Sequence, residues 1–199
     1  GTMAAAWIDY IVADRIVLPE NEARHYSEKP AYLPETYFPY DSKRAIADRK
    51  PTRAQCGLPE AGFVFCSFNN AFKLTPAIFA LWMRLLAAAE GSVLWLGQAN
   101  AARRNLLREA ERLGIEAERL IFAPYVESAA EHLSRLGLAD LFLDTLTCNA
   151  HTTAADALWS GVPVLTCKGT SFAGRVAASQ LYALGLPELV TETPAAYEA

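Results

Sequence analysis

The sequence has no long apolar run. Its longest apolar stretch, Ala77 to Ala89, is broken by Arg84 and is too short for a bilayer span, so the expected partner is not a membrane. Basic charge is not in excess either: 18 Lys and Arg face 22 Asp and Glu, a formal net charge of −4. That balance argues against holding nucleic acid or an anionic surface by bulk charge, and leaves a local phosphate site open. Cysteine is sparse. Cys56, Cys66, Cys148 and Cys167 lack CxxC spacing, which excludes a disulfide scaffold, argues against a metal site and predicts reduced thiols in a cytoplasmic protein. The start, Gly1-Thr2-Met3-Ala4, has none of the features of a signal peptide. There is no internal repeat, no low-complexity tract, no GxGxxG and no GxxxxGK[ST]; an NAD(P)-linked dehydrogenase is disfavoured accordingly.

What is present is a globular composition. The 199 residues are 52% hydrophobic and 20% charged, enough for a real core in one or two small domains. The first part, residues 1–55, opens with an apolar run from Trp7 to Val12 that reads as a strand. Pro19, Pro30, Pro34, Pro39 and Pro51 follow, interleaved with Tyr26, Tyr32, Tyr37 and Tyr40. Proline at this density forbids a long helix, and the aromatics predict a connector draped over a surface.

From residue 56 to 199 the pattern alternates. Strands are predicted at Phe63 to Cys66, Ser92 to Leu96, Leu120 to Phe122, Asp140 to Leu143 and Val162 to Leu165. Between them lie helical stretches from Pro76 to Ala89, Ala101 to Leu113, Ser128 to Leu136 and Thr152 to Ser160. The first has apolar residues at three- and four-residue spacing, Thr75 as N-cap and Pro76 in its first turn; Gly114 closes the second. Short, continuously apolar strands alternating with helices imply an α/β, Rossmann-like parallel sheet with helices on both faces.

In such a sheet ligands sit at the carboxyl ends of the strands, which directs attention to four loops. Ser67 to Lys73 offers Asn69, Asn70 and a lone Lys73, either a point charge for a phosphate or a solvent-exposed lysine. After Ala123 to Glu127, His132 and Arg135 share one helical face; they could hold a nucleobase, or His132 could be a half-buried helix residue. Asp144 to Asp156 runs into a helix whose first turn holds Thr152 and Thr153, preceded by His151. That favours phosphate, with Asp156 available to a ribose diol; alternatively Thr152 is an N-cap and Asp156 its first-turn acid. Lys168 to Arg175 forms either an anion nest or, through Arg175, an internal ion pair.

Several of these segments, in the same order, strongly resemble the O-GlcNAc transferase family. They include Ser67-Phe68-Asn69-Asn70-Ala71-Phe72-Lys73, Asp140-Leu141-Phe142-Leu143-Asp144-Thr145, Asn149-Ala150-His151-Thr152-Thr153 and Arg175-Val176-Ala177-Ala178-Ser179-Gln180-Leu181. The resemblance is dense from about 56 to 190 and thinner through Asp9 to Asp14 and Tyr26 to Lys29. It implies one lobe of a two-lobed GT-B glycosyltransferase that moves GlcNAc from UDP-GlcNAc to Ser or Thr of an acceptor protein, with no metal or further cofactor. By the same resemblance Lys73 is the lysine on the donor pyrophosphate, His132 stacks on uracil and Arg135 lies beside it. Asn70 stands at a donor-contacting position, His151, Thr152 and Thr153 contact sugar and phosphates, and Asp156 binds ribose. Residues 1–55 become the tail of the first lobe and a connector, and 56–199 an incomplete donor-binding lobe. The rest of the first lobe and a tetratricopeptide region would be partners outside this chain, which alone is expected to bind UDP without transferring sugar. Asn70 replaces the Gln usual in animal members, and the Asn-Asn pair resembles plant SPINDLY, a GDP-fucose enzyme; Ala129 replaces a nucleotide-holding lysine. Two other readings remain: a related transferase using GDP-fucose or UDP-glucose, and a non-catalytic nucleotide-binding or interaction module.

Overall fold

A computed structural model describes residues 2–199, the Asn100 side chain excepted. Six parallel strands form the main sheet: β3 (Val64–Ser67), β4 (Val93–Leu96), β5 (Leu120–Phe122), β6 (Leu141–Leu143), β7 (Val164–Cys167) and β8 (Val190–Thr191). Their spatial order is β5-β4-β3-β6-β7-β8. A separate parallel pair, β1 (Tyr10–Ala13) and β2 (Lys29–Tyr32), lies upstream. The crossovers carry α1 (Pro76–Ala88), α2 (Asn100–Arg112), α3 (Ala129–Leu136), α4 (Thr152–Trp159) and α5 (Val176–Ala183), and α6 (Pro194–Glu198) closes the chain.

The alternation of side chains along the strands explains the two layers. Val64, Cys66, Val93, Trp95, Phe142 and Val164 point to one face and pack with Leu136 of α3, Ala154 and Ala157 of α4, and Ala177 and Leu181 of α5. Phe65, Leu94, Leu96, Leu143 and Cys167 point to the other and meet Ile78, Trp82 and Leu86 of α1, Ala110 of α2 and Tyr197 of α6. Both faces are covered, so the central strands are mostly apolar, with Ser67 and Thr166 as buried polar exceptions in β3 and β7. Thr75 caps α1 by accepting the Ile78 N–H, with Pro76 at its first position.

Strand ends differ from the sequence reading where backbone partners intervene. The first strand is Tyr10–Ala13, not Trp7 to Val12, because its partner β2 begins opposite Tyr10 at Lys29. The strand expected at Val162 to Leu165 lies two residues later, at Val164–Cys167. The Val162 N–H is tied to Ala157 O, finishing the turn after α4, and Pro163 has no N–H to give a ladder. β2, β8 and α6 were not among the predicted elements, and no bounds were predicted for α5.

The proline-rich segment is ordered and lies over the helices. Thr36 Oγ1 is 2.7 Å from Ser179 Oγ on α5, the Ala47 N–H donates to Ala130 O of α3, and the Trp159 indole donates to Arg44 O. The loop at Lys168 to Arg175 takes the ion-pair reading. Arg175 is buried, donates to both Glu22 carboxylate oxygens at 2.7 and 2.8 Å, and reaches Gly169 O and Thr170 O. Its guanidinium holds the Glu22 carboxyl below the usual range.

Candidate functional site

The strand order reverses direction between β3 and β6: the chain moves from β3 outward to β5 on one side and from β6 outward to β8 on the other. Loops leaving such neighbours part, and a crevice opens at their carboxyl ends. Here it is a cleft of about 560 Å³, lined among others by Phe68, Asn70, Lys73, His151, Thr152 and Thr153.

Lys73 ends a single 3-10 turn, Ala71–Lys73, whose N–H bonds Asn70 O at 3.0 Å. Its ammonium is half-buried and donates to Asn149 O at 2.7 Å, with Asn69 Oδ1 at 3.5 Å. The exposed-lysine alternative is thereby set aside. Thr153 Oγ1 donates to the same Asn69 oxygen at 3.0 Å. Buried Asn69 thus ties the β3 loop to α4, while Asn70 is exposed on the rim. Nothing in the sequence separates these adjacent amides, and Asn69 was not singled out.

The β6 loop is folded by Asp144, which is wholly buried. Its Oδ1 accepts the N–H groups of Thr145 (2.7 Å) and Ala150 (2.6 Å), and its Oδ2 accepts the Thr166 hydroxyl at 2.7 Å. Burial pushes its carboxyl up to about 7 against those three donors. The loop so closed delivers His151 to the N-cap of α4, at φ −105° and ψ −90°, with no side-chain cap; Thr152 is the first helical residue, not the cap. The first turn holds no acid, so its N–H groups and the helix dipole are available to an anion. His151 is half-buried, and burial reinforced by the Lys73 charge pushes its pKa down, leaving it neutral at pH 7. Ser67 Oγ, Asn69 Nδ2, Asn149 Oδ1 and His151 Nε2 are buried without a hydrogen-bond partner among the described residues. Of the residues that carry them, Asn69 and His151 line the cleft, where unpaired polar atoms suit a polar ligand.

His132 and Arg135 sit on α3 as one unit behind Phe68. Arg135 donates to Pro124 O at 2.6 Å and to His132 Nδ1 at 3.3 Å, so the neutral imidazole carries its proton on Nε2. Burial, then the Arg135 charge, lower the His132 pKa. The His132 ring meets Phe68 edge-on at 5.3 Å. None of His132, Arg135 and Asp156 is among the residues lining the 560 Å³ cleft; Phe68, whose ring meets His132, does line it. Asp156 is buried on α4, and its Oδ1 accepts the Tyr40 hydroxyl and an Arg44 N–H, both at 2.7 Å. Desolvation, then this hydrogen bond, push the Tyr40 phenol up to about 12. Tyr40 and Arg44 come from the connector, 116 and 112 residues away in sequence, and no local motif marks them. Among the described residues no group of three His, Cys, Asp or Glu side chains is placed to hold a metal ion, and no helix is long and apolar enough to cross a membrane.

Comparison with known proteins gives a consistent result. The sequence profile described as Glycosyl transferase family 41 matches residues 1–50 and 46–199. The probable UDP-N-acetylglucosamine–peptide N-acetylglucosaminyltransferase SEC of Arabidopsis thaliana is 41% identical over 192 residues, covering 94% of this chain and 20% of that protein. The UDP-N-acetylglucosamine–peptide N-acetylglucosaminyltransferase of Caenorhabditis elegans is 43% identical over 148 residues, 73% of this chain and 13% of that one. The solved structure of a point mutant of Thermobaculum terrenum O-GlcNAc transferase superposes with a TM-score of 0.81 at 30% identity, over 96% of this chain and 36% of that one. The chain therefore spans only about a fifth or less of the length of these two curated relatives.

Proposed function

Because this chain belongs to glycosyl transferase family 41, we propose that it is the donor-binding half of a protein O-glycosyltransferase, one that moves GlcNAc from UDP-GlcNAc to Ser or Thr hydroxyls with inversion. The observation that carries the reading is that Lys73 and the uncapped start of α4 share the cleft at the β3/β6 crossover. In this reading residues 56–199 hold the nucleotide, and residues 1–55 are the tail of the first lobe and its connector. Lys73 and the α4 N–H groups offset the charge on the departing diphosphate as the acceptor hydroxyl displaces it at the anomeric carbon. These fixed positive groups take the part a divalent ion would otherwise play. The Thr152 and Thr153 hydroxyls and neutral His151 orient sugar and phosphates, Asn70 contacts the donor from the rim, neutral His132 stacks on uracil beside Arg135, and Asp156 accepts from the ribose diol. The first lobe would cover the face of β1, where Tyr10 and Val12 are 63% and 52% exposed, and a tetratricopeptide region would recruit the acceptor. Four free thiols suit a cytoplasmic setting.

Calorimetric titration of the chain with UDP, and with GDP and NAD in parallel, tests this. UDP is expected to bind, Lys73→Ala to weaken it by about tenfold or more, the worth of one charge-assisted contact, and His132→Ala by about fivefold or more, the worth of one base stacked on an aromatic ring. A preference for GDP would move the donor towards GDP-fucose, and binding of none of the three would overturn the assignment.

A further inference from the structure

We infer that Tyr40 and Arg44 are positioning residues of the donor site: the connector grips Asp156 by Oδ1 and so presents Oδ2 to the ribose of the donor. The inference rests on the proposed role of Asp156 in the donor lobe and extends it to two residues outside that lobe. Both donors reach the same carboxylate oxygen at 2.7 Å, whereas Oδ2 receives no hydrogen bond from any described residue. Two donors on one oxygen fix the carboxylate's rotation, and a buried carboxylate held this way keeps a full set of lone pairs for a diol. The grip is itself braced. The Trp159 indole donates to Arg44 O at 3.0 Å, the Tyr40 ring lies 5.7 Å from the Trp159 ring, and the Arg44 guanidinium stands 5.5 Å over Tyr40. Beyond it the same segment runs on to α3, with the Ala47 N–H on Ala130 O and the Ser134 hydroxyl on Arg49 O. One stretch of connector thus spans α4, which carries Asp156, and α3, which carries His132. Asp156 and Arg44 both act on the His132 imidazole, in opposite directions, which places all three in one electrostatic neighbourhood.

The test compares UDP with 2′,3′-dideoxy-UDP, which lacks the hydroxyls that Asp156 would accept from. Calorimetry on the full chain should show UDP affinity falling by about tenfold in Arg44→Gln and about threefold in Tyr40→Phe, in line with losing a charged or a neutral support. Affinity for the dideoxy compound should stay constant, Arg44→Lys should restore most of the UDP loss, and Arg44→Gln should add nothing to Asp156→Asn. An equal loss for both nucleotides would mean that the connector merely supports the fold, and no loss in variants that melt normally would remove its role; either result overturns the inference. Should Arg44→Gln not fold, Tyr40→Phe alone decides between these outcomes. Wild-type chain that binds UDP while the variants match it leaves the donor lobe standing and removes only the positioning role. Wild-type chain that does not bind UDP removes both.

Discussion

Asp144 shows how one buried side chain can shape a site without lining it. Its three accepted hydrogen bonds fold the loop between β6 and α4, and its carboxyl titrates near 7 where an unfolded aspartate titrates near 3.8. The native state therefore holds this proton more tightly than the unfolded state. The sign follows: the stabilisation from protonated Asp144 is complete below about pH 4 and is lost as the pH rises towards 7. Asp144→Asn mimics the protonated form. Its amide oxygen takes the two backbone N–H groups, and its NH2 faces Thr166, whose hydroxyl turns to accept. We expect the thermal midpoint of the wild type to fall relative to that of the variant between pH 4 and pH 7, with the two curves parallel above pH 8. Parallel curves across the whole range would show that Asp144 is ionised throughout. At the same scale, Cys66 is fully buried, and burial raises its thiol far above the ordinary value; it should resist alkylation until the chain unfolds.

Among the elements, α6 is the shortest α-helix, and Tyr197 is its one buried residue. Tyr197 is buried, accepts the Trp82 indole N–H at 3.3 Å and donates to Asp144 O at 3.1 Å, linking α1, α6 and the end of β6. Tyr197→Phe keeps the ring and leaves the indole N–H and a carbonyl unpaired in the core, a cost of about 1–3 kcal/mol. Denaturant unfolding should show a lower midpoint at unchanged slope, whereas an unchanged midpoint would mean that water enters and replaces the hydroxyl. This helix was invisible in the sequence because five residues carry too little periodicity to read, and β8, two residues long, shares that limit. The central strands and α1 to α4 were legible because burial on both sheet faces writes itself as unbroken apolar runs between periodic helices. The candidate loops were legible too, since the strand–helix alternation alone places them at the carboxyl ends of the strands; which of them border the cleft depends on the strand order. What escaped were long-range pairings: Asn69 rather than its neighbour at the hub, and Tyr40 and Arg44 on Asp156. These depend on which of many polar residues meet after folding, and no local pattern encodes that.

On the scale of the whole molecule, the question is what joins the amino-terminal pair β1–β2 to the six-stranded sheet. Two strands alone are marginal in water, and here they are tied to α5 through buried Asp14. Its Oδ1 accepts the N–H groups of Ile16 and Val17, and its Oδ2 accepts the Tyr37 N–H and the Ser179 hydroxyl, all between 2.7 and 2.9 Å. Ala13, Val17, Leu18 and Val176 form the apolar cluster beside it, and the Arg175–Glu22 pair fastens the turn after β1 to the start of α5. Asp14→Ala would strip four donors of their acceptor at one stroke. The expected cost is about 4 kcal/mol, or a thermal midpoint lower by about 10 °C for a chain of this size. More telling is where the loosening spreads. Hydrogen exchange should quicken together at β1, β2 and residues 36–44, because Tyr37 anchors the stretch that goes on to Tyr40 and Arg44. UDP affinity should then fall although Asp14 is not among the residues lining the cleft. Fast exchange in β1–β2 with 36–44 still protected would show instead that the connector is held by its contacts with α3 and α4 alone, and that donor binding is insulated from the amino-terminal sheet.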